Sequence, residues 1–512
     1  MQKKVLILLV LSLILWLIFL GNSPLRDWDE GVVAQVAREI WNAPPGTTHW
    51  LYPTLGGVPY QNKPPFIHLL IAWVYSLGGV NEWTTRLPSA VLTALGVPVL
   101  YLVGCLIFNQ SLPALFSALV YMTMLPVVRH GRLAMLDGTI TTFFLLLFFC
   151  FLKARKNRQY ALGIGFCLGF IILVKGMTVL LLGGIVFLFL LTCKELALLR
   201  SPYLWIGMFL GNAPAIAWYA AQWQLYGQHF LQVHFHDQAF SRLVRPVDGN
   251  SGDFWFYLIE IVKYGFPWLL FWPKGFYLSW KKRHTTWGSL ILISTIIYLL
   301  SISLMPTKLP WYVIPVYPFL ALAIGVELSR IWDYGISKPK LLILLLVTTA
   351  IASLIGYFYV TVAKYQYILI IISLVTTITI SIAIWLVRKQ SHHFITILFC
   401  GTYLGLALLM SSGTWMWELN ESFAVKPVAA LIRAYLPLKT TIYSSLGYRH
   451  NVRPSLEFYC DCKIIPVPTP ILQLMWSKKF YLLLDDTTLH ERKWAESKVL
   501  GTAEGFTLIA PQ

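Results

Sequence analysis

Apolar runs long enough to cross a bilayer recur through most of this 512-residue chain, and they limit the fold before any motif is read. About thirteen are discernible, near 4–20, 84–108, 112–128, 139–152, 161–174, 177–193, 203–221, 257–280, 287–304, 311–328, 341–362, 367–387 and 394–413. A helix needs roughly 20 apolar residues to cross ~30 Å of hydrocarbon, so the shorter runs are expected to extend into their flanks. Only 12% of residues are charged and mean hydropathy is +0.66, a charged share about half that of a soluble domain. The expected architecture is an all-α polytopic membrane domain over 1–413, with outer loops at 21–83 and 222–256. A polar tail, 414–512, follows. Strand-like pieces at 441–444, 463–467 and 479–484 and a helix-like piece at 426–435 make it a small α/β domain.

The net charge of +18 is not that of a nucleic-acid binder. Such proteins gather Lys and Arg on one face or in one segment. Here the clusters Lys153-Ala154-Arg155-Lys156-Asn157-Arg158, Lys281-Lys282-Arg283 and Arg388-Lys389 sit between apolar runs, as cytoplasmic loops do. Counting spans from a basic, cytoplasmic Met1–Lys4 places all three inside, and an uncleaved first helix is expected. An odd number of spans then leaves the tail outside the cytoplasm.

On this topology ionisable residues collect at outer helix ends: Asp27, Asp29, Glu30, Lys63, Arg86, Arg129, Arg132, Asp137, Lys175 and Lys308. Charge beside hydrocarbon is costly and tends to be functional. Cations on the outer side call for an anionic partner, and a phosphate at headgroup level is the simplest. Asp29 and Glu30 read either as a carboxylate pair facing a substrate or as the cap and first turn of an amphipathic helix from Glu30 to Trp41. Asp137 has the same two readings at the start of its run. Lys63, before Pro64-Pro65, reads either as a positioned phosphate ligand or as a side chain snorkelling to the headgroups. The stretch 66–77 reads as an interfacial or re-entrant helix. His229, His234 and His236 with Asp237 match no closed metal motif, and Cys460 and Cys462 form a C-x-C pair whose oxidation is left open.

The ordered series Asp29-Glu30 through Ala37-Arg38-Glu39-Ile40, then Asn62-Lys63-Pro64-Pro65, then Arg86-Leu87-Pro88-Ser89-Ala90 resembles bacterial members of the protein mannosyltransferase superfamily. Nearest in pattern are the aminoarabinose transferases that modify lipid A. Gly131 to Asp137 looks like their second acidic loop, and Val174-Lys175-Gly176 and Lys308 to Pro315 are also similar. The resemblance covers about residues 1–330 by motif and the whole chain by layout.

It implies a GT-C glycosyltransferase moving a sugar from a polyprenyl-phosphate donor to a lipid A-like, glycan or protein acceptor. The reaction would take place on the extracytoplasmic face of the plasma membrane. By the same resemblance Asp29 is the main catalytic carboxylate and Asp137 the second acidic residue. Lys63 contacts the donor phosphate, and Glu30, Arg132, Lys175 and Tyr312 are further substrate contacts. Aminoarabinose transferases carry a metal-binding Glu directly before the Lys-Pro; this chain has Asn62, a poorer ligand for a hard cation. No cofactor is therefore assigned, and a divalent metal is left open. The competing class is a transporter or flippase of lipid-linked sugars, which tends to show inverted repeats and midplane charges; neither is evident here.

Overall fold

The structure, a computed structural model, describes residues 1–247, 249–364, 367–416, 424–445, 453–491, 494 and 497–511. Seven helices among the described residues are long and apolar enough to cross a membrane: Glu82–Phe108, Asp137–Ala154, Arg158–Lys175, Thr286–Leu304, Pro310–Tyr334, Tyr367–Arg388 and Phe394–Ser411. The chain is a multi-pass membrane protein. Four further apolar runs form helices that do not meet the same criterion, at Gln2–Leu17, Thr178–Thr192, Pro202–Tyr226 and Pro339–Lys364.

Two runs expected as single spans are not single helices. The run 112–128 forms Ser111–Met122 and Leu125–Arg132, bent by 57°. The break falls where Thr123 turns its hydroxyl back onto the Leu119 carbonyl and Pro126 starts the next helix. The run 257–280 divides into Phe256–Tyr264 and Trp272–Lys281. Pro267 and Pro273 lack the N–H that a continuous helix requires, and Pro273 lies in the first turn of the second helix, where that loss is harmless. Apolarity alone does not register either break.

The chain separates into two compact units. The first comprises Met1–Leu20, Gln61–Phe66 and Arg86–Trp415. Within it, Ala161–Lys175 and Pro202–Tyr226 meet through glycines. A Cβ on Gly165 or Gly169 would fall on the backbone of Gly207 or Gly211, and a Cβ on Gly207 or Gly211 would fall on the backbone of Leu162 or of Gly165 and Phe166. Four-residue spacing puts each pair on one helix face, so the backbones touch as in other small-residue membrane interfaces.

The second unit comprises Gly21–Tyr60, Ile67–Thr85 and Met416–Gln512, so the first outer stretch groups with the tail. Its helix Glu30–Asn42 matches the expected amphipathic helix, and Phe66–Gly78 matches the expected short one. Gly31 lets the former approach Pro454–Cys460, since a Cβ there would sit 2.9 Å from the Ser455 nitrogen. The tail sheet orders its strands Lys463–Pro466, Thr441–Ser444, Tyr481–Asp485, Phe506–Pro511 and Ser497–Ala503. The first three run parallel and the last two add antiparallel. Strand alternation sends Leu483 into one core with Val428, Ile432, Leu456 and Leu508, while Leu482 and Leu484 join Leu472 and Ile509 in another. The three expected strands and the helix at Val425–Tyr435 are present; the final hairpin was not anticipated. Cys460 and Cys462 are joined in a disulfide.

The glycine interface yields a direct test. Gly169→Val should force the two helices apart, at a cost of about 1–3 kcal/mol. Thermal unfolding of the purified protein in detergent should show a lowered midpoint, whereas Gly184→Val, where a Cβ meets nothing within 4 Å, should not.

Candidate functional site

In the first unit, five segments of the chain converge and bring cations together. Lys63 stands in the turn before Phe66–Gly78, held stiff by Pro64 and Pro65. Asp137 opens Asp137–Ala154, and Lys175 closes Ala161–Lys175 just before Gly176, whose φ of +55° ends that helix. Tyr312 sits in the 3-10 turn Pro310–Val316. The fifth segment is a π-helix, Gln232–Phe240, inside the second outer stretch, continued by Ser241–Val244. π-Helical turns often mark functional sites.

The contacts join these side chains into one network. Lys175 Nζ bonds Asp137 Oδ1 at 2.6 Å and lies 4.8 Å from the centre of the Tyr312 ring. Arg242 donates to the Tyr312 hydroxyl at 2.9 Å and to Gln238 Oε1 at 3.3 Å. Lys63 Nζ donates to the same Gln238 oxygen at 3.4 Å. Tyr298 fixes the turn by donating to the Tyr312 carbonyl at 3.1 Å. Burial, then the Arg242 and Lys175 charges, pull the Lys63 pKa down to about 7, with Asp137 opposing. Of the three cations only Lys175 is paired with the carboxylate of Asp137, and the network carries formal positive charge in excess.

Lys63, Asp137, Lys175 and Tyr312, all singled out in the sequence, are therefore brought together. Arg242 and Gln238 were missed. They lie in a stretch with no helical period of apolar residues, and the available signal was the pair Arg242 and Arg245 shortly after His234 in an outer loop.

Arg132 is placed differently. It is fully buried and donates to the carbonyls of Leu15, Trp16, Ile18 and Met410, closing the end of the first helix. Its guanidinium also lies 5.0 Å from the centre of the Trp415 ring. Lys308 likewise bonds the Ile302 and Ser303 carbonyls.

Asp29 and Glu30 belong to the second unit. Glu30 is fully buried and accepts from the Arg26 amide at 2.8 Å. Asp29 precedes Glu30–Asn42 but makes no capping hydrogen bond through its side chain; Arg26 Nε lies 3.6 Å from its carboxylate. The neighbouring Asp27 forms a buried ion pair with Arg453 and accepts from the Ser455 amide.

The donor set for a divalent metal is thin. Asn62 offers a neutral amide, and among the described residues no three His, Cys, Asp or Glu side chains are grouped to hold an ion. His236 pairs with Asp237 at 2.8 Å, while His234 turns into an aromatic pocket.

Residues 62–219 match the family model described as dolichyl-phosphate-mannose-protein mannosyltransferase. A Pseudomonas fluorescens undecaprenyl phosphate-alpha-4-amino-4-deoxy-L-arabinose arabinosyl transferase is 28% identical over 68% of this chain and 64% of its own length. The Pectobacterium carotovorum enzyme of the same description is 26% identical over 64% of this chain and 59% of its own. The crystal structure of ArnT from Cupriavidus metallidurans bound to undecaprenyl phosphate superposes with a TM-score of 0.82. It does so at 19% identity, over 99% of this chain and 97% of that one.

Over about two thirds of its length the chain is similar in sequence to the aminoarabinose transferases, and residues 62–219 carry the mannosyltransferase pattern. Its membrane unit has the fold of ArnT, and it spans less than two thirds of the length of the curated relatives that it matches.

The Lys63 environment predicts a pH dependence for anion binding. An anion favours the ammonium over the neutral amine, so affinity should fall as pH rises through about 7, by up to about tenfold per unit. The neighbouring charged groups are Arg242, Lys175 and Asp137. A dialkyl phosphate, singly charged throughout, serves as the calorimetric probe. Lys63→Arg, charged at every such pH, should flatten the profile; an equally steep profile in that variant would assign the dependence to another group.

Proposed function

We propose that this chain is an integral-membrane glycosyltransferase that takes a sugar from a polyprenyl-phosphate donor on the extracytoplasmic face of the plasma membrane. The observation that carries the reading is the convergence of Lys63, Lys175 and Arg242 on Tyr312 and Gln238 with, among the described residues, Asp137 alone in balance. An anionic group is what such a network lacks. The relatives' named donor, an undecaprenyl phosphate-linked aminopentose, supplies one. The acceptor is a lipid A-like glycolipid, with other glycans or a protein as further members of the class.

The proposed topology follows the charge bias: an N-terminus in the cytoplasm, about thirteen spans within 1–413, and a tail domain from 414 outside. In the reaction an acceptor oxygen attacks the anomeric carbon. The bond from that carbon to the phosphate oxygen breaks, and its electron pair leaves with the polyprenyl phosphate. Charge grows on the leaving oxygen, so Lys63, Arg242 and the Tyr312 hydroxyl stabilise the transition state more than the ground state. Lys175 is held by Asp137 and supplies a fixed positive field. Asp29, on the family resemblance, takes the proton of a hydroxyl acceptor as general base. A phosphate acceptor brings no such proton, and Asp29 then orients it. A single displacement inverts the anomeric centre.

Transfer from a polyprenyl-phosphate aminopentose to a lipid A-type acceptor, followed by mass spectrometry with purified protein, tests the reading. Lys63→Ala should lose one charge-assisted contact, about 1.5–3 kcal/mol, or roughly ten- to hundredfold in donor use. Lys63→Arg should be intermediate. A transporter would leave the donor intact, and parental rates in Lys63→Ala would remove the phosphate assignment.

The two aspartates separate structural from chemical roles. Asp27→Asn breaks the buried pair with Arg453 and should cost about 3–5 kcal/mol of stability. Asp29→Asn should fold normally and lose transfer by about 10²–10⁴-fold. Full activity of Asp29→Asn would show that the carboxylate is not needed.

A further inference from the structure

His234 stands beside the cation network and is not one of its ligands. It is 4% exposed and enclosed by rings, with the Phe230 and Phe235 centres each 5.1 Å away, Tyr219 5.2 Å and Trp218 5.9 Å. Both ring nitrogens are nonetheless bonded. Nδ1 lies 2.9 Å from the main-chain oxygen of Gln61, and Nε2 lies 2.8 Å from the Tyr219 hydroxyl. A carbonyl oxygen only accepts, so Nδ1 carries the proton, and Nε2 of the neutral ring accepts from Tyr219. Burial holds the imidazole pKa down to about 4 and the Lys63 charge acts in the same direction, so the ring stays neutral.

The partner of this bond is the segment that carries Lys63. Among the described residues two hydrogen bonds tie Gln61, Asn62 and Lys63 to the π-helix: Gln61 O to His234 and Lys63 Nζ to Gln238. The buried side-chain amide of Gln61 has no partner there, and Pro64 and Pro65 have no N–H to offer. The two anchors, four residues apart, come from the π-helix that leads into Arg242. Gly176, next to Lys175, closes the same corner: a Cβ on it would lie 2.9 Å from the Tyr219 hydroxyl and 3.1 Å from His234 Nε2.

We propose that His234 is a positioning residue for Lys63. Locked by Tyr219 and the surrounding rings, it clamps the Gln61 carbonyl and thereby fixes where the Lys63 ammonium stands. The inference rests on the reading of Lys63 as the donor-phosphate contact, and it adds to that reading a residue that touches no substrate.

His234→Phe keeps the ring volume and removes both hydrogen bonds. With the full-length protein it should lower kcat/KM for the donor about five- to tenfold, the worth of one hydrogen bond, with the acceptor KM near parental. His234→Asn places an amide nitrogen where Nδ1 stands and should recover most of the loss. In a Lys63→Ala background His234→Phe should add less than about twofold, because residues acting through one contact are not additive. Full additivity, or a parental kcat/KM for the donor in His234→Phe, would overturn the proposal.

A readout without donor separates the two readings. Amine labelling of Lys63 against pH, followed by mass spectrometry, should have its midpoint near 7 in the parent. In His234→Phe it should move toward the ordinary lysine value of about 10.4. An unmoved midpoint in a folded variant rejects the clamp. A moved midpoint together with parental transfer by Lys63→Ala rejects the phosphate reading and leaves the clamp standing.

Discussion

Burying an ammonium or guanidinium costs several kcal/mol unless an opposite charge or well-placed acceptors offset it, and the first unit concentrates that cost at one place. Lys175 has Asp137; Arg242 and Lys63 have the neutral oxygens of Tyr312 and Gln238. Neutral acceptors satisfy donors without cancelling charge. An arrangement of this kind persists only if its surroundings are stiff enough to keep the cations from swinging toward water. The surroundings are stiff: Pro64-Pro65 after Lys63, the Tyr298 bond to the Tyr312 carbonyl, and a π-helix continued directly by Ser241–Val244 that carries Gln238 and Arg242. A bound anion then gains from attraction already prepared, with little reorganisation left to do.

The membrane unit beneath the site provides that stiffness through backbone contact rather than side-chain bulk. Gly165 and Gly169 against Gly207 and Gly211 bring together the helix that ends in Lys175 and the helix that leads into the π-helical segment. Lys175 and Arg242 are therefore tied to elements that cannot slide past each other without a clash. Arg132 acts in a related way at the first helix, where its donors take up carbonyls that a helix end leaves unpaired. A buried arginine used in this manner looks, in sequence, like a ligand.

That ambiguity sets how much was legible from residues alone. Membrane-spanning character follows from apolarity, which sequence displays directly, so most runs became helices close to their expected bounds. Breaks such as those at Thr123 and Pro267 depend on single hydroxyls and on backbone donors, which a hydropathy reading averages away. Lys63, Asp137, Lys175 and Tyr312 were readable because ionisable or phenolic groups at the ends of apolar runs are costly and few. Gln238 and Arg242 were not, because a π-helix has no apolar period to reveal which residues share a face. Asp29 was ambiguous between cap and catalyst; the structure withholds the capping hydrogen bond but leaves the chemistry to the Asn variant. The final hairpin of the tail was missed because Ser497–Ala503 has no buried residue and carries little apolar alternation.

Two lysines in one network acquire different electrostatic behaviour from their neighbours alone. Lys175 has a carboxylate at 2.6 Å, which balances its charge directly. Lys63 has an amide oxygen and two nearby cations, and its pKa falls to about 7. Its charge is therefore conditional on what else is present. An incoming phosphate raises the affinity of Lys63 for a proton, so binding near neutral pH draws a proton onto Lys63 as the anion arrives. When the anion leaves, the surplus charge that remains is partly relieved by releasing that proton. The same neighbours that hold an anion thus limit the cost of the empty site, and a permanently charged arginine at position 63 would forgo that relief.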